Sequence, residues 1–305
     1  MIVKPNKNDE NILYNLWKTI FSYRDGGFIN YFFNERYNPK DFYLKKDQDL
    51  EEIISGIYLK DEVLNLNSQK FKVKVIDHIF TVHNQRSLGN MTSLLSTVLS
   101  EREFKELFTL VKFSPNFDFK KFNFETLYYK KRYTVNRSDL YNVDGYSISN
   151  IFKVGELAAV YKNFTTRFNG SFIRNLEDFE HFVEENIASG REIFVTRDLN
   201  KQIKGYMLYE YIKSELVILE IIYLDSTALL TLLNQAMGMN AYIYVDVSPY
   251  ENFSKLIENL DYKLRDYMMI RINDKNLFMA MFKMKTPTIK QVTKSVNKPL
   301  YIGYY

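Results

Sequence analysis

Apolar residues recur at spacings of three and four in some stretches of the chain and alternate or run together in others. Residues 10–22, ENILYNLWKTIFS, put Ile12, Leu13, Leu16, Trp17 and Ile20 on one face, which predicts a core-facing helix. FINYFFNERY predicts a second helix that stops near Pro39, because the residue before a proline is biased away from helical backbone. FYLKKD reads as a short strand. EEIISGIYLK, DEVLNLN and KFKVKVIDHIFTV, with few breakers, predict an antiparallel meander. MTSLLSTVLSEREF, with Leu94, Leu95, Val98 and Leu99 on one side, predicts a helix. ELFTLVKFSP predicts a buried strand ended by Pro115, FDFKKFNF a short helix or turn, and TLYYKKRYTV a last strand.

The second half repeats this order. GELAAVYKNF and LEDFEHFVEENIASG predict helices, the second starting behind Asn175 as N-cap and ending at Gly190. REIFVTRD, LNKQ, IKGYMLYEYI and SELVILEIIYLD make three strands in two hairpin steps. TALLTLLNQAMG is a helix, AYIYVDVSP a strand, FSKLIENL a helix and DYMMIRIND a strand. Ser114-Pro115 and Ser248-Pro249 fall at equivalent points, so an internal duplication is the simplest account. The expected class is α+β: two modules, 1–143 and 144–274, each a mixed, mostly antiparallel sheet flanked by helices. A tail over 275–305 follows, with one apolar strand-like piece, LFMAMF, and then a polar Lys/Thr stretch.

A chain of 305 residues is long enough for two such modules. Its 41 Lys plus Arg against 37 Asp plus Glu leave a formal +4 with no basic arm, so nucleic acid is not an expected partner. The absence of cysteine excludes disulfides, thiolate metal sites and cysteine nucleophiles. His78, His83 and His181 are scattered, with no HExxH pattern, so no metal is expected. The most apolar run, LVILEIIYL, is too short for a bilayer and contains Glu220, so the expectation is a cytoplasmic protein without a membrane span. The 24 Tyr and 24 Phe are read as packing for an aromatic-rich core.

One turn carries chemistry. In FTVHNQRSLGNMTSLL, residues 80–95, a strand leads through a polar loop into a helix. Loop N–H groups and the first helical turn then converge on one volume, where the helix dipole favours an anion. Arg86, Ser87, Leu88, Gly89, Asn90 and Met91 are spaced for this, with Gly89 permitting close approach and Arg86 adding charge. Neither the Walker pattern nor GxGxxG is present, and taken alone such a turn is more often a plain loop.

The segment resembles the acetyl-CoA signature of the GNAT N-acetyltransferases, Arg/Gln-x-x-Gly-x-Gly/Ala, with Arg86, Gly89 and Met91 at the three key positions. The wider pattern is similar to the Eis-like branch, which has tandem GNAT domains and a C-terminal sterol-carrier-like domain. FKKFNFE at 119–125 is similar to the family's Tyr-x-x-x-Gly-Phe segment, and MMIRIND at 268–274 to its Met-x-x-Arg strand; GYMLYEYI and LVILEII support the second module. The resemblance implies acetyl-CoA as co-substrate, bound by Arg86–Met91, with the backbone of Phe80, Thr81 and Val82 along the pantetheine. It also implies transfer to a primary amine of a small molecule or peptide, and a trimer-based homo-oligomer, trimer or hexamer.

In the family a tyrosine heading the Tyr-x-x-x-Gly-Phe segment is the thiolate acid, and the terminal carboxylate is the base. Here Phe119 stands at the acid position and Asn123 at the glycine, while the terminal residue is Tyr305. Tyr128 or Tyr129 is either a substitute acid or structural. His83 is read as a loop-surface residue. Asp25, Glu35 and Glu220 either attract a cationic amine or are plain surface or cap residues. The second module passes from LVILEIIYLDS directly into TALLTLLNQ without glycine or a basic residue, so it is expected to be cofactor-free. An acetyltransferase, a degenerate relative that binds CoA or a partner without turnover, and a tandem-GNAT aminoacyl transferase are the three readings. The last lacks the coiled-coil hairpin that would bind tRNA.

Overall fold

The computed structural model describes residues 1–21, 26–100, 106–257, 260–294 and 298–304. In the first half, β1 (Ile2–Val3) is followed by α1 (Asp9–Ile20) and α2 (Phe28–Tyr31), which continues as a π-helical turn over Phe32–Arg36. Then come β2 (Phe42–Lys46), β3 (Ile53–Leu66), β4 (Gln69–Thr81), α3 (Asn90–Ser100), β5 (Phe108–Lys112) and β6 (Glu125–Asn136). The second half begins with β7 (Ser147–Ser149), α4 (Val154–Thr165), β8 (Gly170–Phe172) and α5 (Leu176–Ala188). It continues with β9 (Glu192–Arg197), β10 (Ile203–Ile212), β11 (Glu215–Tyr223), α6 (Ser226–Met239) and β12 (Tyr242–Val247). β13 (Tyr262–Ile272), α7 (Lys275–Phe282) and α8 (Ile289–Lys294) complete it.

The chain divides into two compact units that exchange segments. The first contains residues 1–64, 70–127 and 268–292; the second contains 65–69, 128–267 and 293–305. In the first unit the strand order is β1-β2-β3-β4-β5-β13, with β4 and β5 parallel and Met268–Ile272 of β13 antiparallel to β5. In the second it is β6-β12-β11-β10-β9-β7, with β11 and β12 parallel and Lys131–Asn136 of β6 antiparallel to β12. Each sheet therefore takes a closing strand from the other half of the chain. The sequence reading, with boundaries near 143 and 274, does not include this exchange.

The internal repeat is visible in the order β3-β4-α3-β5 against β10-β11-α6-β12. Ser114-Pro115 and Ser248-Pro249 follow β5 and β12, as their equivalence requires. Three local readings are corrected. The meander is two strands: β3 runs unbroken through Lys60–Asp61 and turns at Asn67-Ser68, both at positive φ, the backbone of a tight hairpin turn. The apolar LFMAMF piece is helical, because the Asp274 carboxylate accepts from Leu277 N–H at 2.8 Å and caps α7 while Phe278 is buried. FSKLIENL forms only a 3-10 turn over Phe253–Lys255 among the described residues.

The first unit's core has two sides. Leu13 and Trp17 of α1 pack with Ile29, Phe32, Phe42, Tyr58 and Phe80, while α3 packs Leu94, Leu95 and Val98 onto Ile57, Ile76 and Val111. The Asp9 carboxylate, at the start of α1, is sealed against Lys46 of β2 at 2.7 Å and also accepts from Asn6 N–H at 2.7 Å. Both side chains of this pair are almost inaccessible, so removing one leaves an unpaired buried charge. Asp9→Ala is expected to lower unfolding stability by about 3–5 kcal/mol in urea titrations, and Asp9→Leu with Lys46→Met to recover most of that loss.

Candidate functional site

The parallel pair β4/β5 stays in register from Val73–Phe108 to Ile76–Val111, and the next residues of β4 are Asp77 and His78. Here the strand's alternation breaks. Ile76 and Ile79, three apart, both pack on the α3 side, whereas His78 and Phe80 face the aromatic cluster under α1. Two side chains three apart on one face require an irregularity between them. At that point the Asp77 carboxylate lies 3.1 Å from His78 Nδ1. The imidazole packs against Trp17 at 4.7 Å, Phe21 at 5.2 Å and, stacked, Phe28 at 5.8 Å between ring centroids. The neighbouring Trp17 Nε1–H is buried without an acceptor.

Burial works against the charge of Asp77, but His78, Lys60 and Lys112 outweigh it and hold the carboxyl at about 2. A carboxyl held below its usual value contributes stability that is present above its unfolded pKa near 3.8 and is lost as pH falls toward 2. In Asp77→Asn, the part of the acid-induced loss of stability that falls between about pH 4 and 2 should shrink, as read from thermal midpoints along that range.

β4 leads directly into the anion-type bend. Val82 N–H donates to Ile54 C=O at 3.0 Å, so that amide is already bonded on the β3 side; Thr81 Oγ1 contacts Ser55 Oγ at 3.0 Å, and Phe80 is buried. A 3-10 turn over His83–Gln85 follows, with His83 exposed. Ser87 (φ 63°) and Gly89 (φ 74°) are both left-handed, and a Cβ at Gly89 would meet nothing within 4 Å. The glycine thus serves backbone conformation and leaves the space above the bend open. Arg86 through Gly89 are exposed, and Arg86 commits its Nε–H to Thr81 C=O at 3.2 Å, one of five donors. The Asn90 side chain donates to Gln85 C=O at 3.0 Å and braces the loop. The bond Ser93 N–H to Gly89 C=O opens α3, so the amides ahead of it have no intrahelical acceptor. Met91 is buried in the core below α3, which leaves only its backbone for a ligand and explains a large residue where the family has a small one.

Phe119 is buried between Phe117 and Phe124 and has no proton to give. Asn123, in the family's glycine position, is left-handed at φ 63°, a conformation asparagine tolerates better than most residues. The segment thus keeps its turn without the tyrosine. Tyr128 folds with the second unit, its buried hydroxyl facing Ser248 and the Ile302 backbone without a well-formed hydrogen bond; burial pushes its pKa up. Tyr129 and Glu35 are exposed. Asp25 and Tyr305 lie outside the described residues.

In the second unit the equivalent opening is filled. The ladder of β11 with β12 ends at Ile218–Val245, and the residues beyond it, Glu220 and Ser248 among them, line a small cavity with Tyr301 and Ile302. Glu220 is buried, which corrects the expectation of a surface or cap carboxylate. It accepts from Tyr206 O–H at 2.8 Å, Tyr304 N–H at 2.6 Å and Tyr301 O–H at 3.4 Å. Arg174 pairs with it at 3.5 Å and donates to Tyr304 C=O at 2.6 Å. Tyr301 N–H donates to Gly170 C=O at 2.8 Å. The acid inside LVILEIIYL is legible in the sequence, though not its partners; the signal missed is the Asp-His pair ending an apolar strand. α6 also differs from α3, since Asp225 caps it by accepting from Ala228 N–H at 2.8 Å. At Gly303 an added Cβ would collide with the Glu220 carboxylate. Gly303→Ala should therefore speed amide hydrogen exchange over residues 299–304 without unfolding the unit.

No helix among the described residues is long and apolar enough to cross a membrane. No protein-family model and no curated protein matches the chain. Solved structures do. A conserved Enterococcus faecalis V583 protein described as a probable N-acyltransferase superposes with a TM-score of 0.71 at 14% identity, over 91% of this chain and 74% of that one. Eis1 from Mycobacterium abscessus gives 0.65 at 14%, over 92% and 75%. A tandem GNAT protein from the clavulanic acid biosynthesis pathway gives 0.54 at 8%, over 90% and 98%. The likeness is one of fold: the chain has the fold of the GNAT N-acetyltransferases in its Eis-like form.

Proposed function

We propose that the chain is an N-acetyltransferase that moves acetyl from acetyl-CoA to a primary amine of a small molecule or peptide. The observation that carries this reading is the bend at Arg86–Met91, exposed over Arg86 to Gly89, left-handed at Ser87 and Gly89, and opening onto the start of α3. The Arg86 guanidinium and the amides of Ser87 to Met91 would hold the diphosphate, since convergent N–H groups and a helix N-terminus suit a phosphate anion. Acetyl-CoA supplies the activated acyl carbon when bound. β4 beyond Ile76, no longer paired with β5, offers backbone groups to the arm that carries it. The second unit has a plugged opening and an acidic helix cap, so one cofactor per chain is the stoichiometry of this reading.

Phe119 favours a second reading, in which the chain binds CoA without turnover, because the segment that carries the family's acid has only an apolar ring here. Calorimetry with acetyl-CoA, followed by thiol release with polyamines, aminoglycosides and lysine peptides, separates the two. Binding with release supports the transferase, and binding without release the inert form. No binding sinks both. Gly89→Glu puts charge and bulk over the bend and strains a left-handed residue by about 1–2 kcal/mol. It should abolish binding while the protein stays folded by circular dichroism.

A further inference from the structure

We propose that His78, oriented by Asp77, is the group that takes the proton from the acceptor amine in the first unit. The assignment rests on the acetyltransferase reading above.

Position comes first. Asp77 and His78 directly follow the last rung between β4 and β5, where β4 runs on to Thr81 past the end of the ladder. Phe80 and Thr81, two and three residues further along β4, lead on to the bend that would hold the diphosphate, so the reacting end of an extended cofactor lies back toward His78. Of the three histidines, His83 is exposed on the loop and His181 lies on α5 of the second unit, 3.7 Å from Glu184. His78 is the histidine set into a strand, walled by Trp17, Phe21 and Phe28 and keeping about a fifth of its side-chain surface accessible, 21%.

Chemistry comes second. With Asp77 accepting from Nδ1–H, the neutral imidazole carries its lone pair on Nε2, which is the tautomer a base needs. Asp77 touches only the imidazole in this scheme and is a positioning residue. The charged or titratable groups facing the pair include Lys60 and Tyr58 of β3 and Lys112 of β5; Trp17, Phe21 and Phe28 add aromatic surface. In the step, an N–H proton of the ammonium passes to Nε2 and the freed nitrogen lone pair forms the bond to the acyl carbon. The carbon–sulfur bond breaks, its electron pair stays on sulfur, and the imidazolium returns a proton to that sulfur. This return supplies a proton where Phe119 has none, and the nitrogen's remaining surplus proton leaves to solvent.

Three histidines make the test direct, because ring signals of histidine-labelled protein can be assigned by single substitutions. Acetyl-CoA should shift the His78 ring signals and leave those of His181 in place, and Asp77→Asn should lower the His78 titration midpoint. His78→Gln should bind acetyl-CoA as the parent does by calorimetry, yet lose about 100-fold or more in the rate of thiol release with whichever amine the parent accepts. The acidic limb of the pH–rate profile should vanish in His78→Gln and move to lower pH in Asp77→Asn. Bound acetyl-CoA with the His78 signals unmoved, or a His78→Gln rate within about twofold of the parent, overturns the assignment and leaves the transferase reading standing. Failure of acetyl-CoA to bind at all overturns that reading first and the assignment with it.

Discussion

Two parallel strands that part after a few rungs impose most of what is distinctive here. β4 and β5 share four pairs and β11 and β12 share three, and beyond them each strand presents backbone groups on the side where its neighbour has left. Buried N–H and C=O groups do not stay unbonded, so each opening must be occupied by something that can hydrogen-bond along a strand. The two units answer this differently. In the second, residues of the chain's own C-terminal segment sit in the opening. In the first, the strand runs on to an exposed bend suited to an anion, and the functional reading follows from that contrast.

Glu220 shows what the second solution requires. An ionised carboxylate deep in a sheet is unfavourable unless paired and hydrogen-bonded. Here two tyrosine hydroxyls, a backbone amide of the tail and Arg174 converge on it, and Arg174 in turn grips Tyr304 C=O. The carboxylate is satisfied only when residues 301–304 are in place, which ties the order of the tail to the integrity of the core around α4 and β10. Burial raises the pKa of Tyr206 and Tyr301, so both remain neutral donors to the acid.

Much of this architecture is legible in the sequence, since long periodic segments specify their own type. The α1 stripe, the Asn175 cap and the repeated Ser-Pro exits depend on local residues and appear where local residues place them, except that Ile12, at the edge of the stripe, is exposed and Leu13 and Trp17 carry the buried face. The strand exchange is not legible, because β6 and β13 carry no mark of which sheet they complete. Nor is the LFMAMF helix, whose apolar run suits strand or helix alike until the Asp274 cap decides. At the candidate site, the bend is readable from Arg86 and Gly89. Asp77 and His78 read as ordinary polar residues until the end of the β4/β5 ladder gives them a location.

The two helix starts differ in what they offer an anion. α3 begins after Gly89, where an added Cβ would meet nothing within 4 Å, and its partial positive end lies beside the exposed Arg86. α6 begins at Asp225, whose carboxylate accepts from Ala228 N–H and from Tyr146 O–H at 2.9 Å. A fixed negative charge already occupies the position an anion would take, and a second one would meet it at close range without a cation in between. Building anion binding into the second unit would thus take three changes at once: removing the aspartate, supplying a glycine and a basic residue, and displacing the tail. An opening that seats Tyr301 to Tyr304 has a structural role, and clearing it would leave the Glu220 carboxylate without the tail's donors.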